Sequence, residues 1–85
     1  MIVSVIPNLD KRGSSETVEK IGVFLKECGI KAYLPDSICC AGYENAKEDE
    51  LYKIADIIIT IGGDGTIIRY AKRAAVDGKA ILGIN

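Results

Sequence analysis

The sequence has no histidine, which removes imidazole catalysis and histidine-ligated metal from these 85 residues. It also has almost no net charge. Eleven basic side chains against twelve acidic ones leave −1, so nothing in the balance draws the chain toward nucleic acid or an anionic membrane. No apolar run approaches the ~20 residues of a membrane span. Met1 opens on an apolar run with no basic segment ahead of it, so no secretion signal is read and a cytoplasmic location is expected. The three cysteines, Cys28, Cys39 and Cys40, include no CxxC spacing. That argues against a disulfide framework or a zinc site, and no protein-held metal is expected. Cys28 falls at helical apolar spacing and is expected to be a core thiol. Cys39 and Cys40 are read as reduced small residues rather than a redox pair. There is no internal repeat and no low-complexity segment.

What is present is ordinary globular material, 48% hydrophobic and 27% charged. The length allows one domain at most. A chain this short buries little more than ~60% of the surface it exposes unfolded, so its core is modest.

The elements alternate. "MIVSVIP" is β-branched and apolar and reads as a buried strand ended by Pro7 and Asn8. A polar loop follows, and Ser14 or Ser15 is placed to cap a helix with Glu16 in its first turn. Val18, Ile21, Leu25 and Cys28 recur at steps of three and four, and Gly29 suits the helix end. "IKAYLP" is a second strand. Residues 36–47 read as a loop. "KEDELYKIA" is a short helix with acids at its N-terminal end, where the helix dipole favours them. "DIIITI" is apolar with almost no alternation, as in a strand covered on both faces. Residues 66–76 read as a third helix ended near Gly78, and "KAILGIN" as a fourth strand. This order predicts an α/β fold: a three-layer, Rossmann-like open parallel sheet with flanking helices. The last strand has no covering helix after it, so residues 1–85 are expected to be an incomplete N-terminal nucleotide-binding domain.

The stretch "GGDG" has two readings. Asp-Gly between hydrophobic runs is a hairpin signal. The residues after it favour a helix instead. Ile68, Ala71 and Ala75 share one helical face, Ile67, Tyr70 and Ala74 another, and Arg69, Lys72 and Arg73 lie largely opposite. The glycines therefore join a buried strand to a helix N-terminus. Ligands of open parallel sheets bind beyond such strand ends, and the free N–H groups of the helix attract an anion. A carboxylate at Asp64 is repelled by phosphate unless Mg²⁺ lies between them or the acid has its own task. It could deprotonate an attacking hydroxyl or help hold the metal. GxxxxGK[ST] is absent, and Ile68 stands where GxGxxG would need its last glycine. Asn8, at the end of the first strand, is placed in the same crevice if the strands run in the order 2-1-3-4. Lys11, Arg12 and Arg69 could meet phosphates, or could simply be solvated.

"GGDGT" between an apolar strand and a helix resembles the superfamily of NAD kinases, diacylglycerol-type lipid kinases and 6-phosphofructokinases. "IIITIGGDGTIIRYAKRA" followed by "AILGIN" resembles more specifically the N-terminal part of NAD kinases. Lipid kinases usually carry Asn-Glu where this chain has Ile68-Arg69. The resemblance covers residues 56–85 closely and the rest loosely. It implies phosphorylation of the adenosine ribose 2′-hydroxyl of NAD by ATP with Mg²⁺, or by polyphosphate in some relatives, to give NADP. It makes Asp64 the catalytic acid at that hydroxyl. Gly62, Gly63, Gly65 and Thr66 become the nucleotide loop; by their placement Asn8, Arg69 and Asn85 are read as further nucleotide contacts. It also implies a β-rich NAD-binding domain beyond Asn85, a homo-oligomer, and little activity in this segment alone. A lipid or other small-molecule kinase, or a non-catalytic nucleotide-binding domain, are the competing readings.

Overall fold

The computed structural model describes residues 1–8, 13–62 and 64–84, with residues 64–67 described as backbone only. The elements run β1 (Ile2–Pro7), α1 (Ser14–Glu27), β2 (Lys31–Pro35), β3 (Glu44–Ala46), α2 (Glu48–Ile54), β4 (Ile57–Ile61), α3 (Asp64–Val76) and β5 (Ala80–Ile84). All strand pairs are parallel, in the order β3-β2-β1-β4-β5. The expected α/β sheet is present, and its four expected strands stand in the order 2-1-3-4. Among the described residues no helix is long and apolar enough to cross a membrane.

Alternation along the central strands divides the core in two. Val3, Val5, Ala32, Leu34, Ile59 and Ile61 pack on the face covered by Val18 and Leu25 of α1. Ile6 and Ile58 face the other way, against Leu51 and Tyr52 of α2 and Ala74 of α3. Each fully buried aliphatic side chain contributes about 1.5–3 kcal/mol. The helices thus form two layers around one sheet, which is why the strands read as nearly continuous apolar runs.

Four local expectations are corrected. The segment 36–47 is not all loop: Glu44–Ala46 adds an edge strand paired to Tyr33–Pro35. Three residues are too short for periodicity to reveal. The Asn45 amide holds this edge by donating to the carbonyls of Pro35 (3.0 Å) and Ile38 (2.6 Å). Neither serine caps α1. Its N-cap is Gly13, with no side-chain capping bond, while Ser14 is buried inside the first turn. Cys28 is exposed rather than core. The helix ends at Glu27, so Cys28 is the cap and the apolar stripe has already run out. Finally, α3 begins two residues earlier than expected, and its covered side is that of Tyr70 and Ala74. Ile68 and Ala75 are exposed.

The end of α1 follows from its glycine. Gly29 has φ 71°, a backbone region that suits glycine. This lets Ile30 N–H reach the Leu25 carbonyl (2.9 Å) and Gly29 N–H reach that of Lys26 (3.1 Å), closing the orphan carbonyls of the last turn. The C-terminus of α2 is satisfied by tertiary partners. Buried Ser4 Oγ donates to the Leu51 carbonyl (2.7 Å), and Lys79 Nζ to that of Lys53 (3.3 Å). Asp56 ties the sheet's lower rim. Its carboxylate accepts from Ile2 N–H, and its own N–H donates to the Ile2 carbonyl, both at 2.8 Å.

Tyr43 pins the 36–43 segment onto α1. Its hydroxyl donates to the Val18 carbonyl at 2.7 Å. Its ring lies so close over Gly22 that a Cβ there would stand 2.6 Å from Cε2. Gly22→Ala should therefore cost about 1 kcal/mol, because overpacking of ~1–3 kcal/mol outweighs a helix-propensity gain of ~1 kcal/mol. In a Tyr43→Ala background only the propensity term remains, and the same substitution should stabilise by up to ~1 kcal/mol. Urea unfolding of the four chains measures this; a cost of the same sign in both backgrounds would show the ring contact not to govern Gly22.

Burial pushes the Tyr43 phenol up to about 12, with Cys40 adding to it. Burial, then Glu48, pushes Tyr52 up to about 12 as well. Unfolded phenols titrate near ~10. Above that pH the unfolded chain holds fewer protons than the folded one, so the stability is complete below ~10 and is lost as pH rises toward 12. Tyr52→Phe should flatten that alkaline slope in urea unfolding, and an unchanged slope would mean Tyr52 does not contribute to it.

Candidate active site

The carboxyl ends of three neighbouring strands finish level. Pro7 registers with Ile61, and Ile61 with Ile84. Just beyond them, Asn8 N–H donates to the Ile61 carbonyl (2.7 Å), and Gly62 N–H to the Ile84 carbonyl (2.9 Å). These two bonds carry the sheet's hydrogen bonding one residue past its strands and fix where the chain leaves it. β1 lies between β2 and β4, so the connections from β1 and β4 depart toward opposite faces: α1 covers one and α3 the other. Such a switch point opens a crevice at the strand ends.

The expected site residues fall around this crevice unequally. Asn8 stands half-buried on its β1 side, and Gly62 is buried on its β4 side. Asp64 is the first residue of α3, with Gly65 and Thr66 following in the first turn. That position alone is favourable for a carboxylate, because the N-terminal end of a helix carries partial positive charge. Arg69 is one turn further on and exposed, its guanidinium 5.6 Å from the centre of the Tyr70 ring. Gly63, Asn85, Lys11 and Arg12 lie outside the described residues, as do the side chains of Asp64 and Thr66.

Toward its far end α3 is tied to α2. Arg73 donates to the Asp49 carboxylate at 2.7 Å and lies 4.9 Å from the centre of the Tyr52 ring. The hydrogen bond from Arg73 holds the Asp49 carboxyl below its usual range. This braces the helix whose N-terminus borders the crevice.

One residue at the crevice carried no separate expectation. Thr60 is fully buried, and among the described residues its hydroxyl has no hydrogen-bond partner. It registers with Ile6 and Gly83 and so faces the α3 side, two residues before Gly62. The one available signal was a lone hydroxyl inside the run "DIIITI".

Compared with known proteins, the chain is 36% identical to the NAD kinase of Caldanaerobacter subterraneus subsp. tengcongensis over 98% of its length. It is 31% identical, over the same share, to the NAD kinase of Acetivibrio thermocellus. A stretch of 37 residues, 44% of the chain, is 49% identical to the NAD kinase of Campylobacter jejuni serotype O:23/36. The chain belongs to the NAD kinase family. It corresponds to the N-terminal part of these NAD kinases and spans 30% of the length of the first two. No family model matches it.

Thr60→Val tests the buried hydroxyl beside the glycine loop. Leaving a buried polar group unpaired costs about 1–3 kcal/mol, so the valine variant should be more stable by about 1 kcal/mol in urea unfolding. A loss of stability would show that the hydroxyl is paired in the folded chain.

Proposed function

We propose that this segment supplies the phosphate loop and the catalytic carboxylate of an enzyme that phosphorylates NAD at its adenosine ribose 2′-hydroxyl, with ATP or polyphosphate as donor. The observation that carries the reading is the place of Gly62 and Asp64. A sequence similar to NAD kinases along nearly its whole length puts its acid at the first residue of a helix, three residues past the end of the strand β4. In a pure anion cradle a carboxylate there works against binding, so its presence favours a reaction at a hydroxyl.

In this reading Asp64 accepts the proton of the 2′-hydroxyl as its oxygen bonds to the terminal phosphorus of ATP, and ADP leaves with the electron pair of the broken P–O bond. A carboxylate with a pKa near ~3.9 is a weak base toward an alcohol. Its larger contribution is alignment, with proton acceptance late in the transfer, since phosphoryl transfer depends mainly on positioning and electrostatics. Gly62, Gly63 and Gly65 bring backbone N–H groups to the phosphates without intervening side chains, and Thr66 adds its own N–H beside them. Asn8 and Asn85 border the nucleotide from the ends of the neighbouring strands, and Arg69 meets a phosphate from the α3 flank. The hard oxygen of Asp64 suits Mg²⁺, which would arrive with ATP and offset the charge of its phosphates. A cytoplasmic enzyme fits this substrate pair.

The test is ATP-dependent NADP formation by the protein of the full reading frame beside its Asp64→Asn variant. The parent should form NADP, and the variant should lose about 10²–10⁴-fold in turnover with nucleotide affinity largely kept. The 85-residue chain alone should form little or none, because it spans only 30% of the length of its relatives. No NADP from a folded parent, or full turnover in the variant, would overturn the reading.

A further inference from the structure

A second region lies away from the strand ends, between α1 and the segment that joins β2 to β3. A groove of about 440 Å³ is bordered there by Glu19 and Val23 of α1 and by Cys39, Cys40 and Ala41. Cys39 is exposed and Cys40 half-buried, with Cys40 packed against the α1-side core. Adjacent residues of an extended strand point to opposite faces. Here, outside any regular element, both cysteines border the same cavity.

The backbone holding them is anchored on either side. The Asn45 amide binds the Ile38 carbonyl at 2.6 Å, and Tyr43 N–H donates to the Cys40 carbonyl at 3.3 Å. The Tyr43 hydroxyl fastens the same segment to α1 through Val18. The backbone that carries the pair is therefore anchored before any ligand arrives, which lowers the ordering cost of a ligand that takes both sulfurs.

The donor set restricts what would bind. Among the described residues, no group of three or more Cys, His, Asp or Glu side chains is placed to share a metal ion. Structural zinc needs four ligands, and calcium or magnesium needs a shell of oxygens. Two sulfurs suit a soft, thiophilic centre that is complete with two protein ligands. We propose that Cys39 and Cys40 form a two-sulfur chelating site for such a centre, of the class of monosubstituted trivalent arsenicals.

Binding of an aryl arsenic oxide breaks two S–H bonds and forms two As–S bonds. The arsenic-bound oxygen leaves with both protons as water. Arsenic keeps its oxidation state, so no oxidant or reductant is needed. Cys28, exposed at the end of α1 and not part of the groove wall, is an internal control.

Phenylarsine oxide added to the reduced full chain tests the site, with bound arsenic counted by intact-protein mass spectrometry. One arsenic per chain should remain in the presence of an excess monothiol and leave on adding a dithiol. Cys28→Ser should keep that behaviour. Cys39→Ser and Cys40→Ser should each weaken retention roughly 100-fold or more, because the second sulfur acts at high effective concentration. Cys39 is exposed, so Cys39→Ser decides the matter even if Cys40→Ser perturbs the fold, and far-UV circular dichroism checks both. Release by monothiol from the parent, or unchanged retention in Cys39→Ser, would overturn the proposal.

Discussion

β1 is the strand from which the rest of the molecule is laid out. It is hydrogen-bonded to β2 on one side and β4 on the other. Val3 and Val5 enter one core layer and Ile6 the other. Ser4, between them, is buried and bonded to the end of α2. A polar or misaligned residue in this strand would disturb both layers together, since a one-residue slip would exchange its two faces. The same centrality creates the crevice. With neighbours on both sides connected through helices on opposite faces, the strand ends of β1 and β4 cannot both be covered by their own connections.

The two helical layers are held differently. α1 rests on aliphatic packing and on the Tyr43 clasp over Gly22. α2 and α3 add polar ties: Arg73 to Asp49, and Lys79 to the Lys53 carbonyl. At the surface such ties give little stability, but they fix direction. The direction they fix is that of α3, whose first residue is Asp64. Packing that looks remote from the loop thereby sets the orientation of the acid's helix. By contrast, Leu82 of the edge strand β5 is 54% exposed and Ile68 of α3 61% exposed, so each presents apolar surface.

Much of this was legible in the residues. The helix of α3 was legible because alanine, lysine and arginine outweighed the hairpin signal of Asp-Gly. The burial of β4 was legible because its isoleucines do not alternate with polar residues. β3 was not legible: its three residues pair only because Tyr33–Pro35 and the Asn45 amide are there to receive them. Cys28 misled because periodicity does not say where a helix stops; Gly29 and the bonds it permits do.

Local residue patterns encode the kinds and order of every element but β3, and an acid set among glycines between a strand and a helix. Each of these is encoded within a few neighbouring residues, through periodicity, propensity and turn chemistry. That Asn8 and Gly62 lie level at one rim, that Thr60 is buried facing α3, and that Cys39 and Cys40 share a groove is settled by pairing and packing across the fold. Those facts depend on which distant segments pair and pack, and such long-range pairing is fixed by the fit of the whole core rather than by any local stretch.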